Sequence, residues 1–263
     1  MIAPFDYNFA MSKLAPTVEA TQTSLPYVPD PEIRRPDTSL LITDDGAAVD
    51  NRFVEKQQRL LVEPLYGSWK TDDGRPFQAF ANVGLFHAYK EPPNVPDAML
   101  VLDVPAAGDL TDPDNRSYFM WIIGKPPDVV IEVVSDKRGG EDTRKLKHYA
   151  TIGVTYYVIF DPELALKKGI LRAFVLNEGE YIPIDPAKLK LVNLGLKLWD
   201  GKYEKAKGRW LRWVDGEGHM IPTTKERADG EQKKADAERT RADKADAKIR
   251  ELEERLKRLK SNE

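Results

Sequence analysis

The segment Lys125-Pro-Pro-Asp-Val-Val-Ile-Glu-Val-Val-Ser135 decides the fold, because it contains the strongest strand signal in the chain. A β-branched run this apolar is typical of a strand buried on both faces of a central sheet. Glu132 stands in the middle of the run, where an ionised carboxylate is costly unless a cation compensates its charge. The segment therefore predicts the centre of a sheet and, at Glu132, a buried group that needs a partner.

Strand, helix and strand signals follow one another from this segment. A helix is expected from about residue 141 to 152, with acidic residues in its first turn, Gly153 as its stop and a strand at 156–160 after it. This spacing is typical of a right-handed βαβ crossover, although mixed pairing is an alternative. The fold class indicated is α/β, with a mixed central sheet flanked by helices. The other expected elements are an amphipathic helix over 47–65 capped by Asp50, strands within 77–87 and 96–104, and a hairpin over 171–184.

A second carboxylate stands at the start of another strand signal, Val95-Pro-Asp-Ala-Met-Leu-Val-Leu102. If the two strands are neighbours, Asp97 and Glu132 converge closely enough to share one hexacoordinate cation. Oxygen ligands favour Mg²⁺ or Mn²⁺ over zinc, and the chain has no cysteine and three histidines scattered in sequence. Such an ion would polarise a phosphate and activate a water, so this pair predicts a metal site that hydrolyses phosphodiester bonds.

Helix geometry singles out a lysine for the same site. On the helix expected after Glu132, Lys145 lies about 40° around the axis from Tyr149, which belongs to the core-facing stripe, whereas Lys147 points to solvent. Lys145 is therefore the expected catalytic lysine, orienting the attacking water or holding the phosphate. A salt bridge to Asp142 is its alternative role. Tyr149 is an accessory candidate, for which core packing is the more common role.

The charge of the chain limits how it could bind DNA. A net charge of −3 gives no global attraction to nucleic acid, so a DNA contact has to use a local basic patch. Four basic residues surround Gly139 and Gly140 at the end of the proposed site and are the candidates for phosphate contacts: Lys137, Arg138, Arg144 and Lys147. An ordinary solvated loop is an equal alternative.

Composition divides the chain into three parts. At 263 residues, with 41% hydrophobic residues and five Trp, it can bury one substantial core. Residues 1–45 are rich in proline and are interpreted as an irregular arm, residues 46–221 as the folded body and residues 222–263 as a charged tail. The N-terminus does not resemble a signal peptide and no apolar run reaches 18 residues, so we expect a cytoplasmic protein that does not span a membrane.

The tail has a seven-residue repeat. Its apolar positions are Ala235, Ala242, Ile249 and Leu256 in one row, and Ala245, Leu252 and Leu259 in the other, with Glu238 the polar exception. The repeat predicts a short coiled coil of about three heptads that forms a homodimer or higher oligomer, or recruits another chain. A single solvated helix held by i,i+4 charge pairs is the alternative.

Taken in order, these motifs resemble a known family. Val95-Pro-Asp97, the Glu132 strand, Glu-Asp142 and Lys145-x-x-x-Tyr149 precede Gly153-Val-x-Tyr-Tyr-Val-Ile-Phe-Asp-Pro162. The ordered set is similar to the Uma-two-type family of bacterial restriction endonucleases, within the PD-(D/E)XK nuclease superfamily, over residues 45–263. The resemblance implies a restriction-endonuclease-like nuclease domain in residues 46–221 and Mg²⁺-dependent cleavage of DNA. It assigns the first and second metal carboxylates to Asp97 and Glu132.

One departure from the superfamily pattern concerns the lysine. Val134 stands two residues after Glu132, where most relatives place the catalytic lysine, and a lysine moved to the following helix fits Lys145. The N-terminal helix often supplies a further acid, for which Glu55 is the candidate. Two other functions stay open: a catalytically inactive nuclease-fold protein that binds DNA, and a coiled-coil interaction protein. The missing in-strand lysine and the negative net charge both favour the inactive nuclease fold.

Overall fold

The computed structural model describes residues 51–135 and 139–260. The predicted arm of residues 1–45, the predicted cap Asp50 and the candidate DNA contacts Lys137 and Arg138 lie outside the described residues. So do the side chains of Leu256 and Leu259 in the tail.

The first helix among the described residues, α1 (Arg52–Gly67), begins at an asparagine cap. The side-chain oxygen of Asn51 accepts hydrogen bonds from the backbone N–H groups of Phe53 and Val54 at 2.9 and 3.0 Å. These are amides that a helix start leaves without intrahelical partners. The cap is therefore Asn51 and not the predicted Asp50, and the helix begins later than the predicted residue 47.

Among the described residues, ten strands and three further α-helices follow. The strands are β1 (Phe77–Ala81), β2 (Leu85–Phe86), β3 (Ala98–Leu102), β4 (Tyr118–Phe119), β5 (Val129–Val133), β6 (Tyr156–Phe160), β7 (Leu171–Asn177), β8 (Glu180–Ile184), β9 (Leu194–Tyr203) and β10 (Ala206–Asp215). The helices are α2 (Met120–Ile123), α3 (Leu146–Thr151) and α4 (Thr224–Lys260), and a π-helical turn, Glu141–Lys145, leads directly into α3.

Six strands form a mixed sheet in the order β1-β3-β5-β6-β7-β8. Only β5 and β6 run parallel within it, and the π turn with α3 makes the crossover between them. Every residue of β3, β5 and β6 is buried, as expected for central strands covered on both faces. The predicted mixed sheet with flanking helices is confirmed, and so is the predicted strand–helix–strand crossover.

The two faces of the sheet pack against different elements. Val129, Ile131 and Val133 of β5 join a core with residues of α1 and the β9–β10 hairpin. Val130 and Val134 instead join a second core with Tyr149 of α3. Since side chains alternate along a strand, Glu132 projects on the face that α3 covers.

The C-terminal helix α4 is fixed to the body at its first turn. Thr223 and Glu226 form a capping box, in which the Thr223 hydroxyl accepts from the Glu226 amide at 3.1 Å and the Glu226 carboxylate accepts from the Thr223 amide at 2.9 Å. Buried Arg212 of β10 donates to both Glu226 oxygens. From residue 231 onward every described side chain of α4 is exposed. Within the described ranges, no helix has the length and apolar character needed to cross a membrane.

Candidate active site

Glu132 is the centre of the site. It is the fourth residue of β5 and only 1% exposed. One carboxylate oxygen, Oε2, accepts a hydrogen bond from Lys145 Nζ at 2.8 Å, and the other, Oε1, accepts from the Tyr149 hydroxyl at 2.6 Å. The buried charge predicted from the sequence thus has both a cationic and a neutral partner.

The crossover segment between β5 and β6 contributes both hydrogen-bond partners of Glu132 from one side. Lys145 ends the π turn and Tyr149 lies four residues later in α3, so their side chains project from the same face. The alternative partner for Lys145, Asp142, forms ion pairs with Lys168 at 2.9 Å and Arg172 at 4.0 Å. Lys145 therefore faces Glu132, while Asp142 ties the turn to the loop and strand that follow β6.

Asp97 lies beside Glu132 on the neighbouring strand. β3 and β5 are antiparallel with Ala98 opposite Ile131, and continuing this register by one residue brings Asp97 opposite Glu132. The Asp97 carboxylate accepts from the Val133 backbone N–H at 2.7 Å and from Gln58 Nε2 of α1 at 2.8 Å. These bonds orient the carboxylate at the end of the β3–β5 ladder.

Burial and neighbouring charges shift the pKa values of the three central side chains of the site. Burial raises the pKa of Glu132 to about 7, with Asp97 adding to the rise while the charge of Lys145 and the hydrogen bonds from Lys145 and Tyr149 oppose it. Burial alone would lower the pKa of Lys145, but Glu132, Glu141 and Asp97 outweigh it and the pKa is raised. Burial, followed by the charge of Glu132, also raises the pKa of Tyr149. At neutral pH the site combines a protonated lysine, a neutral tyrosine and a glutamate carboxyl that is close to half-protonated.

The donor atoms suit a hard divalent cation. Asp97 and Glu132 offer only carboxylate oxygens, the ligands that Mg²⁺ and Mn²⁺ prefer. Across the part of the chain that the structure describes, no three His, Cys, Asp or Glu side chains gather into a ready-made metal site. One or two carboxylates completed by water and substrate phosphate are nevertheless an ordinary Mg²⁺ ligand set. The residues present therefore fit the ion that the sequence predicts.

The other predicted site residues that the structure describes are exposed. Glu55 is exposed and pairs with Arg59 at 2.7 Å, so α1 presents Gln58 and not Glu55 to Asp97. Arg144 of the π turn and Lys147 of α3 are exposed to solvent.

Two residues next to the site, Gln58 and Glu141, were not predicted from the sequence to belong to it. Gln58 could have been noticed as an amide on the same helical stripe as Leu61 and Leu65, both buried. Glu141 is 5% exposed, and its Oε1 lies 3.6 Å from Lys145 Nζ. The i,i+4 spacing of Glu141 and Lys145 was the available signal.

The structure also brings together two histidines that are distant in sequence. The rings of His87 and His148 are edge to face with centroids 4.7 Å apart, and His148 Nε2 lies 2.6 Å from the side-chain nitrogen of Asn94. Burial, and then the proximity of His87 and Arg144, lowers the pKa of His148. Two histidines that are far apart in the sequence therefore lie close together in the structure.

Comparison with known proteins places the chain in a family. The family model Uma2, described as "Putative restriction endonuclease", matches residues 55–196, a stretch that contains Asp97, Glu132, Lys145 and Tyr149. No curated protein matches the chain. The match covers more than half of the 263 residues and agrees with the resemblance seen in the sequence. The chain belongs to the Uma2 family of restriction-endonuclease-type proteins.

Proposed function

We propose that the protein is a Mg²⁺- or Mn²⁺-dependent DNA endonuclease, with a restriction-endonuclease-like domain in residues 46–221. The observation that carries the proposal is Glu132, a carboxylate 1% exposed in the central sheet, beside Asp97 and hydrogen-bonded to Lys145. A buried carboxylate with a raised pKa, next to a second carboxylate and a lysine, is costly as a structural feature and common at catalytic sites.

Each residue of the site has a distinct part in this proposal. Asp97 and Glu132 hold the divalent cation, which supplies polarisation of the scissile phosphate and a lowered pKa for water. Glu132 has to be ionised to act as a ligand, so metal loading at neutral pH releases its proton. Tyr149 fixes Oε1 of Glu132 by hydrogen bonding. Lys145, kept protonated by its carboxylate neighbours, orients the attacking water or holds the phosphate.

The DNA contacts in the proposal are local. Arg144 and Lys147 are exposed next to the site, and Lys137 and Arg138 precede them in the chain. A patch of this size suits contacts to a few phosphates that position the duplex without reading its sequence. We place the protein in the cytoplasm, where its DNA substrate lies and where a chain with no cysteine is suited to the reducing conditions.

We also propose that α4 pairs two copies of the chain in a parallel coiled coil. Ile249 and Leu252 occupy the apolar positions of the heptad and are 53% and 46% exposed. In a parallel, in-register pair the heptad pattern sets Arg241 of one copy opposite Asp246 of the other, and Lys248 opposite Glu253. Two like-charge combinations in the same pattern oppose pairing, Lys234 with Arg239 and Arg255 with Lys260. In an antiparallel pair the basic positions, which are Arg227, Lys234, Arg241 and Lys248, would face each other. Charge is therefore balanced in the parallel arrangement and repulsive along this row in the antiparallel one.

A parallel pair has a consequence for cleavage. Because both helices run away from their bodies in the same direction, the two nuclease domains lie at one end of the coil. Two sites at one end can act on the two strands of one duplex. The oligomer is therefore expected to convert nicking into double-strand cleavage.

The test of the nuclease is cleavage of supercoiled and single-stranded DNA with Mg²⁺ or Mn²⁺. Wild-type protein is compared with Glu132→Gln, and with Glu217→Gln as a control at an exposed carboxylate. We expect metal-dependent nicking by wild type and by the control, and none by Glu132→Gln. Cutting that survives Glu132→Gln would show that the site is elsewhere. Failure of the folded wild type to cut, with metal-independent duplex binding retained, would instead identify an inactive nuclease-fold DNA-binding protein.

A further inference from the structure

Glu141 has a buried carboxylate that the proposed chemistry leaves unused. It begins the π turn and is 5% exposed. Its Oε1 lies 3.6 Å from Lys145 Nζ, outside hydrogen-bond range, and Oε2 has no hydrogen-bond partner among the described residues. A buried carboxylate oxygen without a donor is unfavourable, so its persistence calls for a reason.

The position of this carboxylate is closely constrained. A Cβ atom at Gly139 would lie 1.8 Å from Glu141 Oε1, so the carboxylate packs directly against Gly139 and a side chain there would have to displace it. The Tyr157 hydroxyl donates to the Glu141 backbone carbonyl at 2.8 Å, which fixes the main chain. Glu141 is thus held next to Lys145 as an ion pair, without a hydrogen bond between them.

Lys145 lies between two carboxylates, and its ammonium is closer to one of them than to the other. Its ammonium is 2.8 Å from Glu132 Oε2 and 3.6 Å from Glu141 Oε1. Glu132 also accepts from Tyr149, so both of its oxygens are engaged. A divalent cation at Glu132 repels the adjacent ammonium, which then needs another acceptor.

We propose that Glu141 is a positioning residue that accepts the Lys145 ammonium when Glu132 takes up the divalent cation. A movement of about 1 Å by the flexible lysine side chain brings Nζ and Oε1 into hydrogen-bond range. The exchange keeps Lys145 charged and next to the substrate phosphate, and it gives the buried Glu141 carboxylate a hydrogen-bond donor at Oε1, while Oε2 still has no donor among the described residues. The inference rests on the proposed metal site at Asp97 and Glu132.

Binding of Mn²⁺ to the full chain, measured by electron paramagnetic resonance without DNA, tests the exchange. Wild type, Glu141→Gln, Lys145→Met and the double variant form a double-mutant cycle. We expect Glu141→Gln to weaken Mn²⁺ binding about tenfold, because Lys145 then stays on Glu132. In the Lys145→Met background, where no ammonium competes, Glu141→Gln should leave the affinity unchanged.

Two further variants make the result specific. Glu63→Gln is the matched control, since Glu63 also has a buried oxygen without a hydrogen-bond partner among the described residues but contacts the start of α4. It should bind Mn²⁺ as wild type does. Glu132→Gln shows whether the measured ion is at the proposed site. Circular dichroism confirms that each variant is folded.

The possible results distinguish a failure of the lysine exchange from a failure of the proposed metal site. An equal loss from Glu141→Gln in both backgrounds would make Glu141 a metal ligand and overturn the exchange. No loss in either background would leave Glu141 with a structural role only, which also overturns it. A folded wild type that binds Mn²⁺ no better than Glu132→Gln would instead remove the metal site, and the proposed function would fail first.

Discussion

Glu132 is the residue at which stability and chemistry oppose each other. Burial raises its pKa from an ordinary 4.5 to about 7. The folded state therefore holds this proton more tightly than the unfolded chain, and the advantage is present below pH 4.5 and lost as the pH rises to 7. At 1.36 kcal/mol for each pKa unit, the full loss above pH 7 is about 3 kcal/mol.

Glu132→Gln should therefore stabilise the protein while it abolishes cutting. Gln resembles the protonated carboxyl, so the free energy of unfolding should rise by about 3 kcal/mol at pH 8 and by about 1 kcal/mol at pH 5. Urea unfolding at the two pH values measures both, with exposed Glu217→Gln as the control that changes neither. An equal gain at both pH values would contradict the raised pKa.

At the scale of secondary-structure elements, α1 supports both the fold and the site through adjacent glutamines. Gln57 is buried and bonds both backbone groups of Leu211 in β10, accepting from its N–H and donating to its carbonyl, each at 2.9 Å. Gln58 instead donates to Asp97 at 2.8 Å. One helix thus joins the β9–β10 hairpin to the end of the β3–β5 ladder.

Gln57→Ala should be strongly destabilising. It leaves the buried N–H and carbonyl of Leu211 without their side-chain partners, which should lower the free energy of unfolding by about 2–4 kcal/mol. Gln58→Ala is the matched comparison and should cost less stability, because Asp97 keeps the Val133 amide as a donor. Urea unfolding at neutral pH measures both variants. A smaller loss for Gln57→Ala than for Gln58→Ala would refute this division of roles.

At the scale of the whole molecule, α4 is built to project a surface away from the body. Its first turn is anchored by the Thr223–Glu226 capping box and by buried Arg212. Its later side chains are exposed, including Ile249 and Leu252. The anchor and the exposed repeat are therefore separable by truncation after Gly230.

A chain ending at Gly230 should remain folded and still nick DNA, but it should be a monomer. The full chain should be a dimer by light scattering and should yield more double-strand breaks for each nick. Glu226 is retained in the truncated chain, so Arg212 keeps its partner and the body is not disturbed. The full-length double variant Ile249→Gln, Leu252→Gln should behave like the truncation while keeping the helix. A monomeric full chain would show that α4 is a single solvated helix.

Local pattern was sufficient for the central strands and the crossover, whereas the β9–β10 hairpin was not predicted. The run around Glu132 was apolar and β-branched over its whole length, so it indicated a central strand, and the strand–helix–strand spacing indicated the crossover to β6. The cap of α1 was misplaced by one residue, because Asp50 and Asn51 are chemically equivalent candidates until the backbone geometry distinguishes them. The π-helical start of the crossover helix had no signal, since its sequence is compatible with an ordinary α-helix.

By itself, the sequence determined the kinds of groups available: two carboxylates at strand positions and a lysine four residues before a tyrosine on one helix face. These follow from the two periodicities of strand and helix, which are local. Only the tertiary structure decided the partners. The β3–β5 register brought Asp97 opposite Glu132, the packing of α1 gave Asp97 its glutamine, and the π turn placed Glu141 next to Lys145. Contacts between distant segments depend on how the elements pack, and no short window of sequence contains that information.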